Sequence, residues 1–330
     1  MTESSVMAFL IRRPDHAVKN FLMPRTLRCA SMILVCLSCL TARAQTQADA
    51  RRQLLQSLES GRLRDAVSLG EKAASQWPQD PEIHHYLGLA YFKTGQLKPA
   101  REQLERARDL NPKEPDAHFD LALVLLSQQD YTAAASELEA TVKLAPSNAL
   151  AHILLGRAYL NSNRSVQAID QFKAALRIDP AIRLGHYHLG FAYASLGRND
   201  EAIAEYRMEL RQSGENPEAV YELGHSLLES GKHEEAVTYL QRASELDPKN
   251  SNVWYNLGKA QLLGGNAAQA EPSLRQAIEL NPKDPSPHYQ LARALEKLGK
   301  AEEARNERAR FAELKKAQPA TAGMATSRDQ

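Results

Sequence analysis

The chain has 330 residues, rich in Ala, Leu, Glu, Gln, Arg and Lys and poor in aromatics (6%), a composition of helix formers with few strand formers. Its formal net charge is +1; without the six basic and two acidic residues of the first 44, the body carries 35 basic against 38 acidic residues, which excludes the basic footprint of a nucleic-acid binder. Cys29, Cys36 and Cys39 all lie near the N-terminus, so residues 45–330 have no disulfide, no Cys-ligated metal and no thiol nucleophile.

Residues 1–44 read as a signal peptide, with Met23 as an alternative start. Arg25 and Arg28 form a positive region, Cys29–Leu40 an apolar stretch, and Ala42-Arg43-Ala44 a small-x-small cleavage site before Gln45. Twelve residues rise only about 18 Å as a helix, short of the roughly 30 Å of a bilayer core, which argues against a membrane anchor. A lipidation signal would want Leu where Cys36 stands. The expected location is periplasmic or secreted, with no membrane span in the mature chain.

From residue 81 a 34-residue period takes over. Leu87-Gly88 recurs every 34 residues through Leu155-Gly156 and Leu223-Gly224 to Leu291-Ala292, and Ala100 recurs in the same step to Ala304. Turn residues follow at Gly95, Gln129, Asn163, Gly197, Gly231, Gly265 and Gly299, and prolines at Pro112, Pro146, Pro180, Pro248 and Pro282. Each unit therefore reads as two helices. The first carries Leu and a small residue, and the turn residue tolerates a left-handed conformation. The second has Ala on its inner face and stops before proline, which cannot continue a helix.

The pattern W-x-x-L-G-x-x-Y…A-x-x-x-F…A…P, seen in SNVWYNLGKAQLLGGNAAQAEPSLRQAIELNP with Trp254, Leu257, Gly258, Ala270, Ala277 and Pro282 in place, resembles the tetratricopeptide repeat family. The resemblance implies an all-α, right-handed superhelical solenoid of about eight helix-turn-helix hairpins. Residues 45–80 form a degenerate first unit. Seven units follow at 81–114, 115–148, 149–182, 183–216, 217–250, 251–284 and 285–317, the last with a charged capping helix, and 318–330 form a disordered tail. Departures from the pattern are expected to matter locally. The unit 183–216 ends Gln212-Ser213-Gly214, so its second helix should finish differently, and Pro272 is expected near the first turn of its helix.

No catalytic residues, cofactor site or metal site is expected. His84, His118, His152, His186 and His288 share one repeat position, but one imidazole per layer cannot supply the roughly four ligands zinc needs, so packing is the expected role. Acidic pairs such as Glu234-Glu235 read as solvated helix faces, and no G-x-S-x-G nucleophile motif occurs.

What remains is a groove. By position, the resemblance implies an inward row of His85, Phe119, Ile153, Tyr187, Tyr221, Tyr255 and Tyr289, with Leu89, Leu123, Arg157, Phe191, His225, Lys259 and Arg293 one helical turn on. The row runs from apolar through an acidic stretch at Glu218, Glu222 and Glu229 to basic at Lys259 and Arg293. The Lys and Asn clamp by which some relatives hold chaperone C-termini is absent. The expected function is a non-enzymatic scaffold that binds a protein or peptide partner, with the oligomeric state left open. The alternative is a substrate-recruiting or regulatory subunit of a separate enzyme, such as a glycosyltransferase or a secretion or envelope-assembly complex.

Overall fold

A computed structural model describes residues 45–317. They form 16 helices and no strand. The expected signal segment 1–44 and tail 318–330 lie outside the described residues. In chain order the helices are α1 (45–59), α2 (Leu63–Gln76), α3 (Pro81–Lys93), α4 (Leu97–Leu110), α5 (Pro115–Ser127), α6 (Tyr131–Leu144), α7 (Ala149–Asn161) and α8 (Ser165–Ile178). They continue as α9 (Gly185–Ser195), α10 (Asn199–Ser213), α11 (Pro217–Glu229), α12 (His233–Leu246), α13 (Ser251–Leu263), α14 (Ala267–Leu280), α15 (Pro285–Lys297) and α16 (Ala301–Ala317). Odd-numbered helices are the first of each hairpin. Each helix packs on the one before it and the one after, which makes a superhelical solenoid.

Local sequence fixes where each helix starts and stops. The side chains of Asp80, Asn148, Asn216, Asn250 and Asp284 accept hydrogen bonds from backbone N–H groups in the first turns of α3, α7, α11, α13 and α15. Pro81, Pro115, Pro217 and Pro285 occupy the first helical position, where a missing N–H costs nothing. Between the helices of a hairpin the backbone turns left-handed, with φ of 78° at Gly95, 61° at Gln129 and 58° at Asn163.

The alanine ladder is the seam of each hairpin. Ala66, Ala100, Ala134, Ala168, Ala202, Ala236 and Ala270 are all 0% exposed, and Ala304 is 1%. One turn further on, a larger side chain lies against the small residue of the first helix. A Cβ placed on Gly156 would stand 2.5 Å from the Phe172 ring, and one on Gly258 2.6 Å from Leu274. The helices approach this closely because the first has no side chain there.

Three local features add to or correct the expectations. In the unit 183–216, α10 has 15 residues against 14 in α8 and α12, and it ends at Gly214 with φ 74°. The start of that unit is also irregular, which the sequence reading did not foresee. Leu184 adopts φ 60° and α9 is shortened to 11 residues, because the preceding turn folds Ile182 inward against Gly185, where a Cβ would meet it at 2.8 Å. Pro272 lies in the second turn of α14 rather than the first. The carbonyl that loses its i+4 donor belongs to Ala268, which faces solvent, so water can take the place of the missing bond. At the far end, α16 buries only Ala304 and pairs Arg308 with Glu296 at 2.5 Å, a polar surface where no further unit is stacked. No helix among the described residues is long and apolar enough to cross a membrane.

Candidate functional site

The first helices touch one another as well as their own partners: α3 meets α5, α7 meets α9, α9 meets α11, α11 meets α13, and α13 meets α15. Second helices make no comparable contact with each other. The array is therefore drawn together along the side of the first helices and splayed along the other, so the first helices line the inner, concave face.

Most of the expected groove residues reach that face. Phe191 and Tyr289 are 41% and 45% exposed, Arg157 is exposed, and Phe119, Leu123, Tyr187, Tyr221, His225, Tyr255, Lys259 and Arg293 are half-buried. Ile153 is the correction. It is only 4% exposed and belongs to the main core cluster, against which the partly buried Phe119, Leu123 and Tyr187 also pack. Its short branched side chain ends inside that cluster and leaves nothing for a ligand to touch.

Two polar contacts across the face share a register that the sequence does not display. In each, a residue of the row meets the residue 35 positions later, on the next first helix. His85 Nε2 and Asp120 Oδ2 are 2.7 Å apart, and Asn256 Nδ2 donates to the Tyr221 hydroxyl at 3.0 Å. The basic end is less free than its charge suggested, since Lys259 Nζ is bonded to Glu229 at 2.9 Å. Tyr289 is flanked by Phe311 of α16, with ring centroids 5.4 Å apart, and by the Arg293 guanidinium.

Burial shifts several groups. Desolvation, then the charges of Glu222 and Glu218, push the Tyr187 hydroxyl up to about 12. Burial alone raises the Glu222 carboxyl. His188, stacked on Phe172 at 5.5 Å, is pushed down to about 4 by burial and by the nearby Arg157.

The histidine ladder has a polar role beyond packing. Nδ1 of His84, His118, His152, His186 and His288 bonds the residue 19 positions later, at 2.7 Å to Gln103, 2.6 Å to Glu137, 2.8 Å to Gln171, 2.6 Å to Glu205 and 2.5 Å to Glu307. Nε2 of His84, His118 and His152 reaches the carbonyl of the proline six residues earlier, at 3.1, 3.1 and 3.3 Å. Trp254 does the same, donating to Pro248 at 2.9 Å. One side chain thus clips the closing turn of one unit to the second helix of the next. The signal was available as the six-residue spacing from proline to a ring N–H. Where the proline is missing, at Gly214, the corresponding residue is Val220, which has no donor. Among the described residues no group of three His, Cys, Asp or Glu side chains is placed to hold a metal ion.

Sequence models of the tetratricopeptide repeat match residues 57–115, 87–149, 119–181, 153–217, 221–285 and 261–313. No curated protein matches significantly. Among solved structures, the chain is similar to the APC/C hetero-tetramer Cut9–Hcn1, with TM-score 0.52 and 16% identity over 73% of this chain, and it spans about half (48%) of that one. It is also similar to YrrB, described as a TPR protein with an unusual peptide-binding site, with TM-score 0.51 and 23% identity over 57% of this chain and 96% of that one. At such identities the likeness speaks for the fold alone. The repeat matches run through nearly all the described helices, and the chain belongs to the tetratricopeptide repeat family.

Proposed function

We propose that the chain is a non-enzymatic protein-interaction scaffold that holds an extended peptide or a partner helix along its concave face. One contrast supports this reading. Tyr159, Tyr193 and Tyr206, at packing positions, are at most 5% exposed, whereas Phe191 and Tyr289 on the inner row keep two-fifths or more of their surface in water. Large aromatic side chains left accessible on a rigid surface, with charges beside them, suit recognition of another chain. The peptide-binding site ascribed to YrrB agrees with the reading. The proposal includes export to the periplasm or beyond, supported by Arg25, Arg28, the apolar run to Leu40 and the cleavage pattern before Gln45.

The test is affinity capture from envelope and culture fractions, with wild type set against a Phe191→Ala, Tyr255→Ala variant of unchanged helicity. A partner held by wild type and lost by the variant supports binding on the inner row. Equal capture by both moves the site elsewhere. N-terminal sequencing of the mature protein tests export: a start at Gln45 is expected, and an intact residue 1–44 segment on a cytoplasmic protein rules it out.

A further inference from the structure

Resting on the groove reading above, we propose that the inner face carries a specific seat for a cationic side chain, Lys or Arg, of the bound peptide, formed by Tyr187 of α9 and Glu218, Tyr221 and Glu222 of α11.

The argument starts from the 35-residue pairing. At His85–Asp120 and Tyr221–Asn256 the two partners close on each other through a hydrogen bond. Tyr187 and Glu222 stand in the same register, yet among the described residues neither the Tyr187 hydroxyl nor the Glu222 carboxylate has a hydrogen-bond or ion-pair partner. Tyr187–Glu222, like Tyr255–Gln290, is open where those two pairs are shut, and of the two open pairs it is the one that carries a charge.

A second, independent observation points to the same spot. Tyr206 is 0% exposed and its hydroxyl makes no hydrogen bond. Its ring lies 6.0 Å from that of Tyr187, and burial, with the charge of Glu222 next, pushes its hydroxyl up. Polar side chains of α9 and α11 that have no partner thus lie near a buried hydroxyl of α10 that has none either. A buried polar group without a partner costs free energy, and that cost falls at Tyr206, behind the accessible Tyr187 and Glu222.

The chemistry of that partner follows from what surrounds it. Glu218 lies one helical turn before Glu222 on the same side of α11, and its side chain is also unpaired. Among the described residues no cation neutralises either acid, whereas Glu229, further along the same helix, is already held by Lys259. Tyr187 and Tyr221 bring half-buried aromatic rings to the same stretch of α9 and α11, and an aromatic face attracts a cation most strongly when desolvated. An ammonium or guanidinium group, which only donates, matches two carboxylates and a phenolic oxygen, which can all accept. A partner carboxylate would meet only repulsion. A purely apolar side chain would leave the acids desolvated and unpaired.

The test uses the full chain and pools of dodecapeptides that are degenerate except for a fixed central Lys, Arg, Gln or Glu. Wild type is expected to retain the Lys and Arg pools about five- to ten-fold better than the Gln and Glu pools. Glu222→Gln should erase that preference while raising the melting temperature at neutral pH, since it removes an unpaired, half-buried charge. A residue of merely structural importance would lower both. Glu218→Gln, an exposed change, serves as a second variant and should reduce the preference. A Lys and Arg preference that survives both substitutions overturns the seat. So does equal retention of all four pools by wild type, and in that case loss of every pool by Phe191→Ala, Tyr255→Ala leaves the groove reading standing. Retention of no pool at all overturns both.

Discussion

Gly156 and Phe172 show how little slack a hairpin has. A methyl group at Gly156 would stand 2.5 Å from the rigid ring, so Gly156→Ala is expected to destabilise the protein by about 1–3 kcal/mol, measured by urea denaturation. His188 carries a different signature. Its folded value lies at about 4, below the 6.5 of a free imidazole, so on acidification the unfolded chain takes up a proton first and stability drains away through that window. His188→Gln should flatten the fall in urea midpoint between pH 6.5 and pH 5, and an unchanged slope would refute the assignment. The small residues of the seam were legible in the sequence because their spacing alone demands them. The polar partners were not. Whether His118 meets a carbonyl six residues back, or Tyr187 faces Glu222 from another helix, depends on how the turns and the stack bring those atoms together. The sequence shows the residue types but not the register between units. Ile153 was misplaced for the same reason, since position in the repeat does not say how far a side chain reaches past its neighbours.

Helices were the most legible scale. Capping side chains, first-position prolines and left-handed turn residues all announce their boundaries locally. Failures came where tertiary contact overrode that chemistry, as in the turn before α9, which puts a leucine at φ 60° because Ile182 packs inward. Pro272 offers a test at this scale. It stands in the second turn of α14 on the exposed side and removes one hydrogen bond from an otherwise regular helix. Pro272→Ala is expected to stabilise the protein by about 1–3 kcal/mol, with the m-value unchanged in urea. A destabilised variant would mean that the ring makes contacts worth more than the lost bond.

Across the whole molecule the core is uneven. The largest cluster of buried side chains runs from Ala122 in α5 to Ala260 in α13, while the first units rely on a small cluster around Leu54 and Leu58, and α16 buries only Ala304. In a solenoid each unit is held by its neighbours alone, so loss of structure should begin at the ends. Amide hydrogen exchange is expected to be slowest in α7 to α12 and fastest in α1, α2 and α16. Uniform protection along the chain would show that the array opens as one body.

The open pair between α9 and α11 has a consequence for how a bound chain is read. First helices stack about 9–10 Å apart and an extended peptide advances about 3.3 Å per residue, so each unit passes roughly three ligand residues. A cation seated at Glu222 would set the frame for all the others. Residues three and six places to one side come opposite Tyr255 and Tyr289, and those three and six places to the other side come opposite Phe191 of α9 and Arg157 of α7. The scaffold would then distinguish ligands less by which apolar residues they contain than by how many positions separate those residues from a single positive charge.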